Sequence, residues 1–219
     1  MSPMRLLPPL PSRSRRFLVT ALLLPALLVA TPAFAERATS TELYQQSFSL
    51  ETNGDYAEAL ARMDDIAAQG EDTYLLHLRR GWLLYLMGRY GDSVTAYDSA
   101  LGKEPGSAEA LAGRTLPLMA QSRWAEAERT CKRLLNLAPG NYLGMSRLAW
   151  VLYSSGRYAE AESAYRAVLE QYPSDNDMRA GLGWALLKQG KSGDAKAAFA
   201  EVLAVVPNHV SASQGMATL

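Results

Sequence analysis

The sequence predicts an all-α fold: a right-handed superhelical solenoid of about five 34-residue helix–turn–helix repeats, followed by a short C-terminal capping helix. Three features in one register predict it. A turn motif recurs every 34 residues, as Gly54-Asp-Tyr56, Gly88-Arg-Tyr90, Ser122-Arg-Trp124, Gly156-Arg-Tyr158 and Gly190-Lys-Ser192. A proline keeps the same step at Pro105, Pro139, Pro173 and Pro207. So does a small residue (Ala59, Ser93, Ala127, Ala161, Ala195) with a bulkier one four later (Met63, Tyr97, Cys131, Tyr165, Phe199). A fixed period of this length marks stacked supersecondary units, each packed mainly on the next.

Each marker has a physical reason. The glycine ends a first helix, A, because a left-handed residue is easiest without a Cβ. The aromatic two residues later opens a second helix, B, and packs back on the turn. The small residue lets A and B approach closely, and the bulky one shares its face. Proline then closes the unit because it cannot continue a helix. This phase starts the units at Ser40, Tyr74, Ala108, Tyr142 and Asn176. Unit 1 lacks the closing proline and has Glu71 there. Unit 2 carries every marker. Unit 3 departs most: Ser122 replaces the turn glycine, Thr115 stands where Gly81 and Gly183 stand, and Pro117 interrupts helix A, where a bend is expected. Units 4 and 5 fit best. From residue 208, Val210–Leu219 restarts a helix A and reads as a cap.

Residues 1–35 read as a cleaved secretory signal. Arg15-Arg16 ends a basic stretch, Phe17–Ala30 is an apolar run of 14 residues, and Ala33-Phe34-Ala35 offers small residues for peptidase cleavage before Glu36. The run is shorter than the roughly 20 residues a membrane-spanning helix needs, so no stable anchor is expected after cleavage. Ser14–Val19 loosely resembles a twin-arginine signal, and the choice between the two export routes stays open. Residues 36–39 form a short linker before the solenoid at 40–219. Without the leader, 18 Lys and Arg face 22 Asp and Glu, a net charge of −4. A mildly acidic body has no clustered cations for nucleic acid. The single cysteine, Cys131, excludes an internal disulfide. The expected address is a bacterial periplasm, with secretion the alternative.

Nothing here predicts catalysis. His77 and His209 lie in different units, and no Cys/His spacing suits a metal. Cys131 occupies a core slot, where a thiol behaves as a small hydrophobe. Asp64, Asp65, Glu126 and Glu128 read as solvated surface of helix B. No enzyme activity, cofactor or metal is expected.

The period and the motifs Leu148-Ala149, Gly156-Arg-Tyr158-Ala-Glu-Ala161, Tyr165 and Pro173 resemble the tetratricopeptide repeat family, over residues 40–219. The resemblance implies that the A helices line a concave face that binds extended peptides or partner helices. On that face the helical period places Tyr44, Phe48, Leu78, Trp82, Tyr85, Leu116, Met119, Trp150, Tyr153, Trp184 and Leu187. Trp82, Trp150 and Trp184 occupy equivalent positions. The family's Lys/Arg/Asn clamp for chain-terminal carboxylates is missing from the stripe, although Arg79 and Arg147 flank it. The expectation is an exported, non-enzymatic scaffold or adaptor that docks an apolar or aromatic peptide or helix, in assembly of an envelope complex. The alternative is contact with a polysaccharide, since the unit pattern also resembles repeat regions of exopolysaccharide export proteins.

Overall fold

A computed structural model describes residues 37–219; the signal segment and its cleavage point lie outside the described residues. Among the described residues there are eleven α-helices and no strand. They are α1 (Ser40–Asn53), α2 (Tyr56–Ala68), α3 (Tyr74–Leu86), α4 (Tyr90–Lys103), α5 (Ala108–Ala120), α6 (Trp124–Leu137), α7 (Tyr142–Ser154), α8 (Tyr158–Gln171), α9 (Asn176–Lys188), α10 (Ser192–Val205) and α11 (Val210–Thr218). Each helix packs on the next in sequence, and the odd-numbered A helices also touch one another from α3 to α11. The result is a solenoid of helix pairs.

The two kinds of helix start differently. Every A helix has a side-chain cap: Thr39, Thr73, Ser107, Asn141, Asp175 and His209 each accept a backbone N–H three residues on. Thr39 and Glu42 form a reciprocal capping box. Helices α2, α4, α6, α8 and α10 have no such bond, because they emerge directly from the tight A–B turn. That turn needs a left-handed residue, supplied by Gly54, Gly88, Gly156 and Gly190 at φ between 72° and 85°. In unit 3 Ser122 takes the same role at φ 55°, a conformation that costs a side-chain-bearing residue about 1–2 kcal/mol. Helix α5 runs unbroken through the buried Pro117.

Packing follows the sequence markers. Ala59, Ser93, Ala127, Ala161 and Ala195 have no exposed surface, and Ser93 Oγ donates to the Gly81 carbonyl at 2.7 Å. Beside them Met63, Tyr97, Cys131, Tyr165 and Phe199 are buried. Burial pushes the Cys131 thiol up to about 12, so it stays protonated and inert at neutral pH. Glu128 differs from its expected place on the solvated face. It is mostly buried and bonded to Lys132 and to Arg157 of the next unit, at 2.7 and 2.6 Å.

Candidate interaction groove

The A helices are spaced by their B partners, so their inner faces leave room between them. Over units 1 to 4 this room is one cavity of about 990 Å³. Its walls are mostly apolar: Phe48 from α1, Leu75, Leu78 and Trp82 from α3, Leu116 from α5, and Leu143 from α7. A second concavity of about 470 Å³ opens over units 4 and 5, with Trp150, Tyr153 and Trp184 among its lining residues.

The polar groups of the first cavity divide into committed and uncommitted. Arg79 is 6% exposed. Its Nε and Nη2 donate to Ser47 Oγ at 3.2 and 3.1 Å, and Nη1 pairs with Glu51. The guanidinium stands 3.8 Å over the Phe48 ring, a cation–π contact. Glu51 also accepts Trp82 Nε1–H at 2.7 Å. Arg79, one of the two arginines flanking the stripe, is thus neutralised within the protein. Arg147 differs. Its Nη1 donates to the Ala112 carbonyl and to Thr115 Oγ1, at 2.7 Å for the latter. Both acceptors are neutral. Burial lowers its pKa, an effect that Cys131, Tyr85 and Tyr97 oppose.

Seven of the eleven stripe residues line these spaces. Phe48, Leu78, Trp82 and Leu116 face the first, and Trp150, Tyr153 and Trp184 the second. The other four lie outside both. Tyr44, Met119 and Leu187 are half-buried against the core, and Tyr85 stacks between Trp82 and Tyr90 with centroids 5.8 Å away in each case. Tyr85, Met119 and Leu187 fall three residues after the cavity position, in the last turn of helix A. There Tyr85 closes over Tyr90 at the start of helix B, as Tyr153 does on Tyr158 at 5.5 Å. The three equivalent tryptophans are not alike. Trp82 is tied to Glu51. Trp150 is 47% exposed. Trp184 meets Phe199 edge-on at 5.5 Å and donates Nε1–H to Ser211 Oγ at 2.9 Å.

The sequence reading named Arg79 and Arg147 beside the stripe but missed the alternation at the sixth position of helix A, which runs Arg79, Gly113, Arg147 and Gly181. Their counterpart is the bulky marker of the preceding helix B. A methyl group at Gly113 would stand 2.4 Å from the Tyr97 ring, and one at Gly181 2.5 Å from the Tyr165 ring. These glycines therefore open slots through which Tyr97 and Tyr165 pass from the B layer to the two cavities. Where the B residue is the smaller Cys131 or Met63, the slot is filled from the A side by arginine. The pairing of Arg with Cys or Met, and of Gly with Tyr, is visible at the 34-residue step.

Tetratricopeptide repeat family models match the chain at residues 44–108 and 78–142, and again at 118–185 and 152–219. A search of curated proteins finds no match. Among solved structures, a tetratricopeptide repeat protein from Parabacteroides merdae superposes with a TM-score of 0.75 at 18% identity, covering 82% of this chain and 71% of that one. MamA from Desulfovibrio magneticus gives 0.72 at 17% identity, over 80% and 99% of the two chains. YrrB, described as a tetratricopeptide repeat protein with an unusual peptide-binding site, gives 0.69 at 16% identity, over 80% and 91%. At these identities the likeness is one of fold.

Proposed function

Because this chain belongs to the tetratricopeptide repeat family, a fold that acts as a scaffold for protein and peptide partners, we propose that it is a periplasmic, non-catalytic adaptor. Its groove over units 1 to 4 docks an apolar or aromatic segment of a partner, in assembly of an envelope complex. One observation carries this reading: a continuous apolar cavity of about 990 Å³ walled by four successive A helices. Contiguous exposed apolar surface on this scale marks interaction sites. Among the described residues no group of His, Cys, Asp and Glu could hold a metal ion, and the buried thiol is inert. The reading therefore assigns the groove to binding.

The test is selection of peptides displayed on phage against the full chain, exported so that its leader is processed. Peptides rich in Leu, Phe or Trp should be enriched. Leu78→Glu and Leu116→Glu should abolish their binding with helicity unchanged by circular dichroism. Retained binding in both variants would move the site elsewhere. Cell fractionation with N-terminal sequencing tests the address, and Glu36 is the expected first residue. A polysaccharide reading draws on the exposed Trp150 face beside Tyr153, 6.0 Å between centroids. Soluble oligosaccharides that quench tryptophan fluorescence and fail to do so in Trp150→Ala would favour it.

A further inference from the structure

We propose that the docked segment carries an internal acidic side chain, and that its carboxylate is received on the groove floor by the Arg147 guanidinium and the Tyr97 phenol. The inference rests on the groove reading above and adds the chemistry of the partner. Arg147 lines the apolar cavity with Tyr97, which reaches it through the Gly113 slot. A partly buried guanidinium is normally compensated by a carboxylate, and it presents its donors in a fork matched to one. Among the described residues only Nη1 is engaged, by a carbonyl and a hydroxyl.

Neither of the cavity's own carboxylates pairs with Arg147 among the described residues. Glu51 holds Arg79 and Trp82, whereas Glu109 stays exposed at the rim, with one weak contact from Tyr74 at 3.4 Å. The wall made by units 1 and 2 is therefore internally neutral, while that of unit 4 carries an uncompensated positive charge. Position selects an internal acid over a chain terminus. Arg147 sits mid-solenoid, with the apolar walls of units 1 to 3 on one side and the Trp150–Trp184 shelf on the other. A segment following the groove continues past it both ways.

The same phage selection, repeated on Arg147→Gln and Tyr97→Phe, tests the proposal. The native chain should enrich apolar peptides with a central Asp or Glu. Arg147→Gln should enrich apolar peptides without acid preference, and Tyr97→Phe should weaken that preference. A selected peptide resynthesised with its Glu replaced by Gln should bind at least about tenfold more weakly to the native chain and equally to Arg147→Gln. Amidating its C-terminus should change nothing. Loss on amidation instead would overturn the internal acid in favour of a terminal carboxylate. Apolar peptides without acid enrichment on the native chain would overturn the carboxylate and leave the groove standing. Failure to select any peptide would remove both readings. Should Arg147→Gln fail to fold, Tyr97→Phe, which deletes only a hydroxyl, carries the comparison.

Discussion

The two halves of the solenoid solve the same packing problem with different chemistry. Each seam between successive units brings the first turn of a B helix beside the preceding B helix. At the seam of units 1 and 2 the earlier helix presents the buried Leu60, and at that of units 2 and 3 the buried Val94. Arg89 and Arg123, the basic residues at the repeat position of Arg157, pair among the described residues with Asp92 and Glu126 of their own helices. At the next two seams the equivalent positions are Glu128 and Glu162. Glu128 pairs with Arg157, and Glu162 with Lys191, at 2.6 and 2.7 Å. Along its B helices the first half is sealed by apolar contact, while Glu51–Arg79 and Asp98–Arg114 pair between its units at other contacts. The second is stitched by ion pairs across its seams. A period fixed in length and marker residues leaves free which force closes each joint.

The largest difference should come from tryptophans at one repeat position. Trp184→Ala removes a ring packed on Phe199 and frees Ser211 of α11. It should cost about 3 kcal/mol, the low end for large core truncations because the ring is half-buried, and loosen α11. Trp82→Ala, at the groove wall, should cost less. Chemical denaturation of both reads the difference, and equal losses would erase the distinction between a groove-facing and a packing tryptophan.

The seams come next. Glu162 is 6% exposed and takes bonds from Gln189, Lys191 and Arg166. Glu162→Ala should cost about 1.5–3 kcal/mol, the range for hydrogen bonds to a charged group. Glu162→Leu imitates the Leu60 seam and should recover most of that loss, since apolar packing commonly replaces a buried ion pair without penalty. A leucine variant as unstable as the alanine one would show that the two kinds of seam are not interchangeable.

This contrast also shows which layer of the structure the sequence discloses. Helix boundaries were legible because glycine, proline and caps act locally, and Ala59, Ala127 and Ala161 marked the A–B contact by size alone. The helical period sufficed to put Phe48, Leu78, Trp82 and Leu116 on one face, and all four line the first cavity. Tyr85, Met119 and Leu187, in the last turn of helix A, lie outside both cavities, whereas Tyr153 at the same position lines the second. Arg147 was noticed but its isolation was not. Knowing that Glu51 satisfies Arg79 and that, among the described residues, no carboxylate pairs with Arg147 requires the contacts across units.

Acid should separate the halves more gently. The Lys191 bond holds the Glu162 carboxyl below its ordinary value, and the Lys132 and Arg157 bonds do the same for Glu128. A carboxylate with a depressed folded pKa stabilises fully above its unfolded value of about 4.3. That contribution is lost as pH falls through the lower folded value. Asp72 is also lowered, by Lys103 and His77, but it lies in solvent, where such pairs contribute little. Below about pH 4, hydrogen exchange should therefore quicken in α8–α10 before α2–α4. The Glu128→Leu, Glu162→Leu double variant should remove that order, and an unchanged order would mean the seams do not set acid stability.

The smallest effect should come from Trp150→Ala. The side chain is 47% exposed, and its aromatic neighbour Tyr153 keeps its own contact with Tyr158. Its removal leaves no enclosed cavity, and surface substitutions usually stay within about 0.5 kcal/mol. Since Trp150 stands at the position of Trp184, the pair compares burial with exposure at constant register. Binding then becomes informative, because folding no longer confounds it. If the docked segment runs past Arg147 onto the second concavity, Trp150→Ala should weaken a long selected peptide several-fold and leave a shorter one, spanning units 1 to 4 only, unaffected. Equal affinity for both peptides in the variant and the native chain would confine the partner to the apolar half.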